Sequence, residues 1–133
     1  QQGVELQLQP APPCALWADR LQLEVVLRNL LANAFEAAAE RPEARRQVRV
    51  SAQQDSAGSV CITIEDSGAG VSEEMVEHLF EAFQSSKASG MGLGLPISRA
   101  IIEAHGGNLW AEAADHGVFK VVLPIGEAAD HAT

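Results

Sequence analysis

A hairpin near the middle of the chain constrains the fold more than any other feature. Residues 47–54 and 59–65 each alternate apolar and polar side chains, as half-buried strands do, and Asp55-Ser56-Ala57-Gly58 between them is turn chemistry. Strands joined this closely run antiparallel. The chain therefore does not read as regularly alternating βαβ units, and a doubly wound parallel sheet is disfavoured.

The flanking elements extend this frame. Val4-Glu5-Leu6-Gln7-Leu8 alternates like a further strand, and Pro10, Pro12 and Pro13 then interrupt regular structure. Asp19 followed by Gln22 resembles a capping box, and the apolar-rich run behind it predicts a helix to about Ala39, with Pro42 in the next turn. After the hairpin, residues 66–70 form a glycine-rich turn, and Ser72 is placed to cap a short helix ending near Phe80. Residues 84–94 are small, polar and glycine-rich, which predicts a mobile loop. Residues 95–105 follow as a helix, with Pro96 in the first turn, where a missing N–H does no harm. Gly106-Gly107 ends that helix, 108–113 and 118–123 are closing strands, and a disordered tail follows Pro124. The expected fold class is α+β. It is a two-layer α/β sandwich whose mixed, mostly antiparallel sheet of about five strands is covered on one face by about three helices. One domain spans 1–125, with a tail at 126–133.

At 133 residues the chain holds one domain with a real core. A net charge of −9 argues against a duplex-binding surface, which needs a basic face, so no nucleic-acid partner is expected. An acidic protein that takes a polyphosphate needs a divalent cation or a few well-placed donors. Cys14 and Cys61 are too few for a disulfide framework and lack metal-ligand spacing. That cysteine usage fits a reducing cytosol best; no apolar run is long enough to span a bilayer and no signal-peptide pattern is expected, while a membrane-anchored parent stays open.

Three motifs carry candidate chemistry. Asn29 and Asn33 are four apart in the first helix and share a face, with Glu36 one turn beyond. Asn is a poor interior helix former, so either both amides lie on a solvated face or their oxygens serve a hard cation such as Mg²⁺. Asp66-Ser67-Gly68-Ala69-Gly70 follows a strand rich in β-branched residues. It is ordinary turn chemistry, or else Asp66 accepts a hydrogen bond from an exocyclic amine such as adenine's, with Gly68 and Gly70 admitting the base. Gly90-Met91-Gly92-Leu93-Gly94-Leu95 opens a helix. It is a hinge, or a set of backbone N–H groups for phosphate. Its spacing is not G-x-G-x-x-G and no strand directly precedes it, which disfavours a dinucleotide fold, and no P-loop signature occurs. Between the last two motifs, Phe80 and Phe83 can anchor a loop, while Ser85, Ser86 and Lys87 can reach a polyphosphate.

In this order the motifs resemble the histidine-kinase branch of the ATPases that include gyrase, the MutL mismatch-repair proteins and the heat-shock chaperones, which share the Bergerat fold. Residues 19–37 resemble the N box, 66–70 the first glycine box, 80–87 the F box and 90–95 the second glycine box; His105-Gly106-Gly107 and 119–124 match the C-terminal pattern. The resemblance implies ATP and Mg²⁺ as cofactors. It implies that Asn33 ligates the metal, Asn29 supports the phosphate side and Asp66 reads adenine beside Gly68 and Gly70. Gly90, Gly92, Leu93, Gly94 and Leu95 would hold phosphates, Phe83 and Ser86 would border the nucleotide, and Lys87 would meet the γ-phosphate. Residues 84–91 would form a lid. Hydrolytic members place a Glu four residues before the metal-binding Asn, and this chain has Asn29 there. An amide cannot act as general base, which favours transfer to a histidine over hydrolysis.

The F box has Ala82 and Gln84 where the family commonly has Pro and a second Phe, with Ser85-Ser86 for a Thr pair, and Gly117 stands where Thr or Ala is common. None of His78, His105, His116 and His131 sits in a phosphoacceptor-like helix, so all four are expected to be surface or structural histidines. The acceptor is then expected on a separate dimerisation and phosphotransfer domain, with a response regulator downstream and the isolated domain a monomer.

Overall fold

The computed structural model describes residues 5–8, 19–42, 45–54, 58–81 and 94–124. The predicted tail at 126–133, the hairpin turn at 55–57 and the Pro10–Pro13 cluster lie outside them. Five strands form one sheet in the order β1-β2-β3-β5-β4: β1 (Glu5–Leu8), β2 (Gln47–Gln54), β3 (Ser59–Asp66), β4 (Asn108–Ala111) and β5 (Gly117–Pro124). β1 pairs parallel with β2, and every other pairing is antiparallel, as the alternating pattern predicts. Two α-helices, α1 (Arg20–Ala39) and α2 (Gly94–Ala104), and one 3-10 turn, Glu77–Phe80, complete the described elements.

The core is a stripe laid on a sheet. Val26, Leu30, Ala34 and Ala38 recur every fourth residue on α1 and are all fully buried. They meet Val48 of β2, Val60 and Ile64 of β3, and Phe119, Val121 and Leu123 of β5 in one cluster. Each fully buried Leu, Ile or Val contributes about 1.5–3 kcal/mol. The short side chains of Ala34 and Ala38 bring the C-terminal half of α1 close to the sheet.

α2 packs on α1 with its start against the middle of α1 and its end against the start of α1. At one end Asp19 caps α1, its carboxylate accepting the Gln22 N–H at 3.0 Å. The other half of the predicted capping box is replaced: the Asp19 N–H donates to His105 Nε2 at 3.0 Å. His105 Nδ1 lies 2.7 Å from the Ile101 carbonyl, so the ring donates there and accepts from Asp19, clipping α2 to the start of α1. Gly106 then takes φ +80° at the end of α2, and a Cβ on Gly107 would overlap the Val122 carbonyl. His105-Gly106-Gly107 is thus a structural corner. The short helix expected behind Ser72 contracts to Glu77–Phe80, with Val76 rather than Ser72 preceding it and no side-chain cap. The Ser72 carbonyl instead closes a turn on the Met75 N–H.

Candidate functional site

α1 carries polar groups to two places, the end of β3 and the start of α2. At the first, Asp66 is the last residue of β3 and is only 5% exposed. Its Oδ1 accepts the Gly68 N–H at 2.8 Å, an Asx turn that fixes the carboxylate. The turn is bolted down on both sides. The Ser67 N–H donates to the Gln47 carbonyl at 3.0 Å, and the Gln47 N–H donates to Ser67 Oγ at 2.9 Å. From the end of α1, Arg41 Nε donates to the Ser67 carbonyl at 2.8 Å, and its Nη2 to the Gly68 carbonyl at 3.4 Å.

The glycines here are crowded by protein. A Cβ on Gly68 would stand 2.9 Å from Ala37 Cβ and 2.8 Å from Asp66 Oδ1. Gly70 takes φ +76°, and a Cβ there would overlap the Ala114 carbonyl, beside the bridge that pairs Val71 with Ala114. Gly117 sits opposite Asp66 in the β3–β5 register, and a Cβ on it would overlap the Asp66 carboxylate. The departure noted at Gly117 thus gives Asp66 the room it occupies.

At the second place, Asn29 Nδ2 donates to Ser98 Oγ at 3.1 Å and to the Gly94 carbonyl at 3.4 Å. Asn29 and Asn33 are both half-buried, and Asn29 is bonded to α2 rather than left to solvent; Glu36, one turn on, is half-buried too. Gly94 and Leu95 open α2, an eleven-residue helix whose positive dipole end lies at this point. Phe83, Ser86, Lys87, Gly90, Gly92 and Leu93, predicted to line the nucleotide, lie outside the described residues. The entrance to that segment is anchored: Phe80 is buried, packs edge-on against Phe119 with centroids 6.2 Å apart, and lies under the Arg99 guanidinium of α2 at 4.5 Å. Arg99 also bonds Glu77 at 3.1 Å.

A recess of about 270 Å³ opens at the Asp66 end, lined by Gln47, Arg49, Glu65, Asp66, Ser67 and His116. His116 Nε2 lies 3.1 Å from Glu65 and Nδ1 3.0 Å from Asp115. The bond to Asp115 chiefly, then that to Glu65, raises the imidazole pKa against the effect of partial burial. Asp115 is held below the usual carboxylate range by the same bond. His78 pairs with Glu81 on the surface at 2.9 Å. His131 lies outside the described residues.

Among the described residues no three His, Cys, Asp or Glu side chains cluster to hold a metal by themselves. Amide oxygens are hard ligands of the kind Mg²⁺ takes beside phosphates and water, so Asn29 at the start of α2 and the half-buried Asn33 on the same helix would suit that ion. Sequence patterns missed Arg41 and Ser98. An Arg after a helix and a Ser within one carry no signal until the fold supplies their partners.

Residues 18–127 match the family described as histidine kinase-, DNA gyrase B- and HSP90-like ATPase, and the chain belongs to it. Within that family its likeness is to sensor histidine kinases. It is 38% identical over 130 residues to the sensor protein FixL of Bradyrhizobium diazoefficiens, covering 96% of this chain and 25% of that protein. The nucleotide-free catalytic domain of histidine kinase ThkA superposes with a TM-score of 0.79 at 30% identity, over 93% of this chain and 80% of that one. Full-length ShkA in complex with AMPPNP matches with a TM-score of 0.77 at 28% identity, over 96% of this chain and 27% of that one. ThkA bound to the response regulator TrrA matches at 0.76 and 29% identity, over 94% of this chain and 35% of that one. The fold is that of histidine kinase catalytic domains. The chain spans about a quarter of the length of FixL. No helix among the described residues is long and apolar enough to cross a membrane.

Proposed function

We propose that this domain binds Mg-ATP in the cleft between α1, the end of β3 and the start of α2, and donates the γ-phosphoryl group to a histidine on a separate dimerisation and phosphoacceptor domain of a sensor kinase. The observation that carries this reading is the placement of Asn29 on the N-terminus of α2, with Asp66 buried at the strand end served by the same helix. Asp66 accepts the adenine amino group, with Gly68 and Gly70 shaping the turn. The Gly94 and Leu95 amides, with Gly90, Gly92 and Leu93 before them, receive the phosphates. Asn33 would hold Mg²⁺ and Asn29 supports it; bound there, the ion would neutralise phosphate charge. Phe83 and Ser86 border the nucleotide, and Lys87 meets the γ-phosphate.

With an amide rather than a carboxylate at position 29, the domain has no base there to activate water. Transfer to an imidazole needs none: the ring nitrogen bonds to phosphorus as the bond to the ADP oxygen breaks, and the domain supplies positioning and charge stabilisation. The nucleotide complex of ShkA and the regulator complex of ThkA support ATP as ligand and a response regulator downstream.

Calorimetric titration with ADP and a non-hydrolysable ATP analogue, with and without Mg²⁺, tests the proposal. Mg-enhanced binding in the micromolar range or tighter is expected. Absence of binding by either nucleotide overturns it.

A further inference from the structure

We infer that Ser98 is a positioning residue for the phosphate end of the site, fixing which end of the Asn29 amide is spent on α2 and which is left for the ligand. The inference rests on the reading of the α1–α2 cleft as a Mg-nucleotide site.

Ser98 is fully buried in the middle of α2. A buried hydroxyl costs free energy unless it is hydrogen-bonded, and a purely packing role at such a position is met by Ala. Here the hydroxyl oxygen accepts from Asn29 Nδ2 at 3.1 Å, across 69 residues of sequence. The second acceptor for the same nitrogen, the Gly94 carbonyl, is four residues earlier on the same face of α2 and longer, at 3.4 Å. Both partners are oxygens, and both take the NH₂ end.

An Asn side chain offers two donors on one side and an acceptor on the other, and a half-turn about its last bond exchanges them. With the nitrogen engaged by α2, the oxygen is the end left without a partner among the described residues. It lies 3.9 Å from the place a Cβ on Gly94 would take, beside the helix start where an anion and its cation would sit. The reversed amide would put N–H donors there, facing a cation that accepts only lone pairs. The next buried position on this face of α2 is the apolar Ile102, which offers no hydroxyl in its place. Ser98 thus acts on the nucleotide only through Asn29.

The test is a double-mutant cycle on the whole chain, reading ADP affinity with and without Mg²⁺ alongside the thermal midpoint. Ser98→Ala is expected to cut the Mg-dependent gain in ADP affinity roughly five- to tenfold, the equivalent of one net hydrogen bond, and to leave Mg-free affinity within about twofold. Ser98→Cys keeps nearly the volume but offers a weak acceptor, so it is expected to lose as much as Ala; a packing role would leave it like wild type. Asn29→Ala is expected to lose at least as much, and the double variant no more than Asn29→Ala alone. Ser98→Ala or Ser98→Cys with a lowered thermal midpoint but an intact Mg-dependent gain overturns the role of Ser98, as does a double variant whose losses add. An intact gain in Asn29→Ala overturns instead the assignment of Asn29, and the inference with it. If wild type binds no ADP at all, the nucleotide-site reading itself is wrong.

Discussion

The two ends of the proposed cleft are built by different means. At the Asp66 end, the carboxylate terminates a central strand, with β2 and β5 on either side and its turn held by backbone bonds from Gln47 and by the Arg41 fork. At the Asn29 end, one side-chain amide joins two helices, and the described contacts are its bonds to Ser98 and Gly94. A strand end locked by backbone pairing resists displacement, because moving it breaks several ladder bonds at once. The start of α2 meets α1 through that amide, while the far end of the helix is clipped by His105. In the proposed reading, base recognition falls on the strand end and phosphate recognition on the start of α2.

The sharpest way to break this comparison is to remove each end in turn. Asp66→Ala is expected to weaken ADP roughly 10- to 100-fold, with or without Mg²⁺, and to erase the preference over GDP. Asn33→Ala should instead remove the Mg-dependent gain and spare Mg-free ADP binding. Calorimetry separates the two patterns, and a Mg-free loss in Asn33→Ala would merge the ends into one site.

Next in size, Gly117→Val puts a branched side chain where the Asp66 carboxylate lies. Overpacking of this kind costs about 1–3 kcal/mol, and ADP affinity is expected to fall about tenfold without change in the Mg-dependent factor. Urea unfolding and titration read both.

Arg41→Ala withdraws two bonds from the turn carbonyls, and a loss of about 1–2 kcal/mol with a severalfold weaker affinity for ADP is expected. Arg41→Lys should recover little of it, since an ammonium cannot reproduce the planar fork. Full recovery by Lys would show that charge alone matters.

The smallest effect concerns pH. The raised pKa of His116 means that its pairing with Asp115 and Glu65 stabilises the fold fully below the ordinary imidazole value of 6.5 and is lost as pH rises through the raised value. The lowered pKa of Asp115 means that its share is present above the ordinary 3.8 and fades as pH falls below it. The thermal midpoint of wild type relative to His116→Ala should therefore be greatest in mildly acidic solution and shrink toward alkaline pH. A difference that grows with pH would contradict the pairing. The effect is small because both side chains are well exposed.

Much of the fold was legible in local pattern. The central hairpin, the N-cap at Asp19 and the closing strands follow from periodicity and turn chemistry, which act within a few residues. The short helix after Ser72 was overestimated because a capping residue is only permissive. Residues 73–76 stay in turns, and it is Phe80, packed on Phe119 and under Arg99, that fixes the segment.

The sequence alone determined which side chains could do chemistry. Amides at helical spacing, an acid at the end of a strand and glycines ahead of a helix are local properties that survive in any conformation. The tertiary structure decided what each one touches. Asn29 meets Ser98 across 69 residues, Asp19 meets His105 across 86, and Arg41 reaches the turn 26 residues ahead. A hydrogen bond is chosen by approach within about 3 Å, and no periodicity in the chain encodes which distant group arrives there.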